Sequence, residues 1–235
     1  MLFRYDRKLI EDFPQTAFGF VYGEGLQVAR SDERLRREFT EEQQATLERV
    51  GHLSPADIPS LAAWRRTFSA FGVSPTKYRS AAEALLRRLR TTGEIPSINN
   101  LVDIGNLISL RYSLPVLVYD EATTQGMATI GYSRGTEVYR ELHRDTQVTP
   151  AKGEVIFCDE EDQVIARRWC WRQSSYSAVT EETHRALLLV EAQHETGLTD
   201  VRKATLDART LIANYAAGEE AKLVDGFDAA ANLAQ

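Results

Sequence analysis

Apolar residues recur three and four positions apart in several stretches of the chain. Leu61, Trp64, Phe68 and Phe71 predict an amphipathic helix that begins at Ser60, after Pro59, and ends at Gly72. Ser80-Ala-Ala-Glu83 has capping-box spacing and predicts a second helix through Leu85, Leu86 and Leu89, closed by Gly93 and Pro96. Asn99 caps a third, running to about Tyr112 with Leu101, Ile104 and Ile108 facing inward. Upstream, Phe18 to Gly23 reads as a short strand followed by a Gly23-Glu24-Gly25 turn. Ser31 to Val50 reads as a charged surface helix with Leu35, Phe39 and Leu47 as sparse apolar contacts. From Pro115 the signal changes to short strands at Val116–Tyr119, Met127–Tyr132, Glu154–Cys158 and Val164–Trp171. Thr180 then predicts a helix containing Ala186, Leu187, Leu189 and Val190, and Thr199 another containing Val201, Leu206, Leu211 and Ile212. This order is α+β and not a regular βαβ alternation.

Composition narrows the class without naming a chemistry. Of 235 residues, 43% are hydrophobic and 26% charged, which describes a soluble globular chain. Cys158 and Cys170 have neither CxxC spacing nor a second ligand cluster, so no disulfide framework or zinc site is expected and a reducing cytoplasm fits. Met1 to Lys8 reaches charged residues too early for a signal peptide, and no apolar run approaches membrane-spanning length. The net charge of −6 excludes a generic phosphate-neutralising coat. Charge is nonetheless uneven. Between Ser60 and Asn100 the bases Arg65, Arg66, Lys77, Arg79, Arg87, Arg88 and Arg90 face only Glu83 and Glu94, whereas the segment after Glu181 is acidic. A polyanion is expected to meet the first stretch, with Lys77, Arg79, Arg87, Arg88 and Arg90 as its contacts; a solvated helix face is the plain alternative.

Familiar catalytic signatures are missing. Gly23-Glu24-Gly25 lacks the rest of a dinucleotide fingerprint, and GxxxxGK[ST], GxSxG and HExxH do not occur. No pair of the four histidines has metal-binding helical spacing, so neither a metal nor a cofactor is expected. Asn99, Asp103 and Asn106, at i, i+4 and i+7, share one face of the third predicted helix. Such a stripe either lines a polar pocket or ties the helix to neighbouring loops. Glu137 either faces a ligand or pairs with Arg134 or Arg140. Trp169 and Trp171, two apart on the last predicted strand, share a face as core, pocket wall or base-stacking platform.

Several strings occur in a telling order: Ser74-Pro-Thr-Lys-Tyr-Arg, Ile98-Asn-Asn-Leu-Val-Asp-Ile-Gly-Asn106, Leu114-Pro-Val-Leu-Val-Tyr-Asp120, Arg134-Gly-Thr-Glu137 and Arg168-Trp-Cys-Trp-Arg172. Together they resemble the B3/B4 domain, a module otherwise found within the β subunit of bacterial phenylalanyl-tRNA synthetase. The resemblance spans Leu61 to Gln193, leaving 1–60 as an N-terminal extension and 194–235 as a C-terminal helical one. It implies a β-sandwich of unusual topology with helices packed on one side, in three β/β/α layers. In the synthetase this module removes tyrosine wrongly attached to its tRNA, with no covalent protein nucleophile. The resemblance therefore implies tRNA or aminoacyl-tRNA as partner, with ester hydrolysis in trans by water activation. A non-catalytic module binding RNA or an amino-acid-like ligand is the alternative. Asn99, Asn100, Asp103 and Asn106 fall on the motif's polar positions and become the catalytic candidates, while Glu137, Arg134, Trp169 and Trp171 become the substrate-binding ones. Leu117 stands where the synthetase pattern has a pocket histidine, which implies a preferred amino acid other than tyrosine. No segment resembles the catalytic core of a synthetase, so amino-acid activation is not expected.

Overall fold

A computed structural model describes residues 3–142, 144 and 146–234. In chain order its strands and α-helices are β1 (Phe3–Tyr5), α1 (Arg7–Asp12), β2 (Ala17–Leu26), α2 (Glu33–Val50), α3 (Pro59–Ala70), α4 (Ala81–Thr92), α5 (Asn100–Tyr112), β3 (Val116–Asp120), β4 (Ala128–Tyr132), β5 (Tyr139–Arg140), β6 (Gln147–Val148), β7 (Val155–Cys158), β8 (Val164–Arg167), β9 (Arg172–Gln173), β10 (Arg185–Ala192), α6 (Gly197–Tyr215) and β11 (Ala217–Ala229). The central sheet has the order β11-β2-β10-β3 and is antiparallel throughout. A second sheet, β1-β4-β7-β8-β9, is antiparallel except where β1 runs parallel to β4. The fold is α+β in three layers: the second sheet, the central sheet, and helices α2, α5 and α6.

Two cores follow from the period-2 geometry of the central sheet. Leu187 and Leu189 of β10 face the second sheet, among Phe3, Phe18, Tyr119, Phe157 and Ile165. Ala186, Leu188 and Val190 face the helices, among Ile104, Ile108, Val201 and Ala208. Close helix contact is built into two glycines. A Cβ at Gly19 would sit 2.0 Å from Thr205 Oγ1 of α6, and one at Gly105 would sit 2.7 Å from Val118 Cγ2 of β3.

Burial on both faces is why Ala186–Val190 looked helical: a strand covered on both sides shows a continuous apolar run rather than alternation. The segment expected as a helix after Thr180 is thus β10. Thr199 lies within α6; the cap position belongs to Thr196, which makes no side-chain capping bond. Gly23-Glu24-Gly25 makes no turn, since β2 runs through it and pairs with β10 as far as Glu24. The strand expected to reach Trp171 stops at Arg167, because Arg168 and Trp169 take left-handed φ values of 44° and 61°. The segments 1–60 and 194–235 contribute β2 and β11 to the central sheet. Ser80 does cap α4, its Oγ accepting from the Glu83 N–H, and Gly93 closes that helix in the left-handed region.

Candidate functional site

Between the two sheets, beside edge strands β3 and β9, lies a cavity of about 160 Å³. Leu117 of β3, Ile130 of β4, Phe157 of β7, Ala166 of β8 and the Trp169 ring form apolar walls, and Glu191 of β10 closes the inner end. Toward solvent the lining passes to half-buried Ala81, Trp171 and Gln173 and to exposed Arg172. The left-handed turn after β8 makes this arrangement. It turns Trp169 inward, where the indole packs edge-to-face on Trp64 and Phe13 with ring centroids 5.3 Å from each.

Glu191 is 6% exposed. Its Oε1 accepts from the Tyr5 hydroxyl at 2.7 Å and from Trp169 Nε1 at 2.8 Å. Oε2 has no protein donor among the described residues. Burial pushes the carboxyl from its ordinary value of 4.5 up to about 7, against the two hydrogen bonds, which favour the charged form. Burial also raises the Tyr5 hydroxyl and the Cys170 thiol, each further raised by the neighbouring Glu191 charge. Cys170, a cavity-lining residue, is therefore held as a thiol and is a poor nucleophile. A small apolar pocket ending in one titratable carboxylate can enclose an aliphatic or aromatic side chain and test its tip for a hydrogen-bond donor.

The Asn/Asp stripe lies on the other side of the central sheet. Asn99 Oδ1 accepts from the Val102 N–H and caps α5. Asn100 accepts from the Ala29 N–H and donates to the Gln27 and Tyr215 carbonyls, joining three segments. Asp103, fully buried, accepts from the Ser31 and Ser97 hydroxyls and the Ile98 N–H. None of these three, nor half-buried Asn106, lines the cavity. On the face predicted from spacing, Asn99 caps α5 and Asp103 ties the segments of Ser31 and of Ser97 and Ile98 onto it.

Glu137 and Arg134 border a shallower concavity on the outer face of the second sheet, with Arg4, Cys158 and Asp162. Glu137 is 2% exposed and accepts from the Ser133 hydroxyl at 2.6 Å and from the backbone N–H groups of Arg134, Gly135 and Thr136. Burial raises its carboxyl, but these donors outweigh it and bring the value down to about 2. Arg134 pairs with Glu137 and Asp162. Both residues are thus apart from the inter-sheet cavity, whereas Trp169 and Trp171 line it, on a turn rather than on one strand face.

The basic set divides likewise. Lys77, Arg87 and Arg88 are exposed, with no ion pair among the described residues. Arg79 pairs with Glu83 at 3.6 Å, and Arg90 donates to the Val50 and Leu53 carbonyls at 2.6 Å each, so these two are engaged within the fold. Glu191 escaped sequence reading because its segment looked helical; the signal available was a lone acid inside the run Ala186 to Ala192. Among the described residues no group of three or more His, Cys, Asp or Glu could hold a metal ion, and no helix is long and apolar enough to cross a membrane.

A two-sheet sandwich with helices on one side and an acid-floored cavity between the sheets defines an α+β protein of the sandwich class. The family model of the B3/4 domain matches residues 63–217, more than half of the chain, and the chain belongs to that family. Among solved structures it is similar to an N-terminal fragment of the phenylalanyl-tRNA synthetase beta-subunit from Pyrococcus horikoshii, with 14% identity and a TM-score of 0.46 over 94% of this chain. It spans 49% of that fragment. No curated protein matches.

Proposed function

We propose that the protein binds the aminoacylated 3′ end of a tRNA and hydrolyses the ester in trans. In this reading the inter-sheet cavity takes the amino-acid side chain, and Glu191 accepts a hydrogen bond from a donor at its tip. The observation that carries it is the cavity itself: it has the volume for a side chain and falls well below the roughly 300 Å³ at which pockets hold whole small-molecule ligands. Its mouth includes Ala81, the first residue of the helix that presents Arg87 and Arg88. Family membership supports the link to tRNA.

The chemistry fits a site without a nucleophile. Water attacks the ester carbonyl, the bond to the ribose oxygen breaks, that oxygen takes a proton, and the products are free amino acid and uncharged tRNA. Holding the ester and water together supplies most of what such a step needs, and the neighbouring ribose hydroxyl lies within reach of the leaving oxygen. Leu117 on the wall favours an amino acid other than tyrosine.

A panel of aminoacyl-tRNAs tests the reading. The expected result is faster ester loss for one or a few amino acids, diminished by Ala166→Leu, which fills the cavity. No acceleration across the panel overturns hydrolysis, and tRNA bound without ester loss identifies a binding module.

A further inference from the structure

We propose that Trp171 is a stacking platform for the terminal base of the tRNA, with Arg172 beside it as the cation that engages the adjoining phosphate. This inference rests on the cavity taking the aminoacyl group: that group is esterified to the terminal ribose, so a side chain lodged inside leaves the terminal base at the mouth. The residues at the mouth are suited to a base. Trp171 is half-buried and lines the opening, and its ring is fixed from within. Tyr78 meets it edge-on with centroids 5.0 Å apart, and the Arg168 guanidinium lies 3.9 Å from the Tyr78 ring and 4.5 Å from the Trp171 ring. Arg168 is held in turn by Glu154 at 3.6 Å.

Arg172 differs. It is exposed, its guanidinium lies 4.8 Å from the Trp171 ring, and it has no carboxylate partner among the described residues. An exposed cation resting on a half-buried indole at the mouth gains little there, so a base can displace it from the ring while a phosphate receives its charge. Lys77, 5.2 Å from the Tyr78 ring, adds a second exposed cation at the same place. Two successive non-glycine residues in the left-handed region, Arg168 and Trp169, cost backbone energy, and what they achieve is to aim one indole at Glu191 and present the next at the mouth.

The test uses the whole protein and unfractionated tRNA, either with its terminal adenosine or with that nucleotide removed, titrated against the parent, Trp171→Ala, Trp171→Phe and Arg172→Ala. Stacking on one aromatic ring predicts that the parent prefers intact tRNA by roughly tenfold to a hundredfold. Trp171→Ala should abolish that preference, and Trp171→Phe should retain most of it. Arg172→Ala should flatten the log-log salt dependence by about 0.7, the value for one phosphate on a single strand. If Trp171→Ala binds tRNA and keeps the parent's preference for the intact end, the platform is overturned and the proposed function stands. If the parent binds neither tRNA, both are overturned.

Discussion

Replacing Glu191 by Gln separates the site's chemistry from its architecture. Glutamine keeps the shape and an oxygen for Tyr5 and Trp169, and removes the charge. In the parent, a carboxyl raised from 4.5 to about 7 binds its proton in the native state at pH values where the unfolded chain has released it. Stability therefore falls as pH rises between these two values and is level outside them. The 6% exposure of Glu191 leaves little solvent to screen the effect, and the full loss amounts to about 3 kcal/mol above pH 7. Urea unfolding of both proteins from pH 5 to pH 8 is the assay. Other titrating groups cancel in the difference, so the Gln variant should gain by about 2.5 kcal/mol on the parent across that range, the remainder of the loss falling below pH 5. It should also lose discrimination among aminoacyl-tRNAs. A difference that stays constant with pH refutes the placement of an ionisable carboxyl in a dry pocket.

Further substitutions test the assignments around the site. Asp103→Ala leaves the Ser31 and Ser97 hydroxyls and the Ile98 N–H without their acceptor; an unfolding loss of about 3 kcal/mol or more is expected, checked by urea denaturation. Glu137→Gln removes a carboxyl held down to about 2, whose contribution exists above pH 4.5 and disappears as pH falls toward 2; the variant should lose up to about 3 kcal/mol at neutral pH, and less at pH 3. Arg87→Ala with Arg88→Ala should weaken tRNA binding and flatten its salt slope by roughly 1.4 to 1.8, read from titrations at several salt concentrations. Arg90→Ala should leave that slope unchanged and lower stability, since its guanidinium holds the Val50 and Leu53 carbonyls.

Local signals were legible where local physics decides. Ser80 and Gly93 bound α4, Asn99 caps α5, and Leu61, Trp64 and Phe68 mark the buried face of α3. Tertiary context decided the rest. β10 lacks alternation because both faces are covered, and the end of β8 carries no sequence signal because no glycine marks the left-handed turn at Arg168 and Trp169. β11 was missed because its pattern mixes Glu, Lys, Asp and Gly at the edge of a sheet, where one side needs no apolar cover. The same gap explains the site. Polar residues at helical spacing are visible in a sequence whether they bind a ligand, a loop or their own helix, and here Asp103 binds loops while Asn99 caps α5.

The cavity depends on parts of the chain that sequence reading set apart. Tyr5 comes from β1, Trp169 from the turn after β8 and Glu191 from β10, and the bonds from the first two to the third join residues 186 and 22 positions apart. β1 is tied to the second sheet by its parallel pairing with β4. A buried carboxylate held by two neutral donors costs the fold stability, and in the function we propose the return is a pocket end that tells one side chain from another. The N-terminal strand is therefore part of the cavity's inner end, because without the Tyr5 hydroxyl the Glu191 carboxylate would have, among the described residues, only the Trp169 indole to hold it.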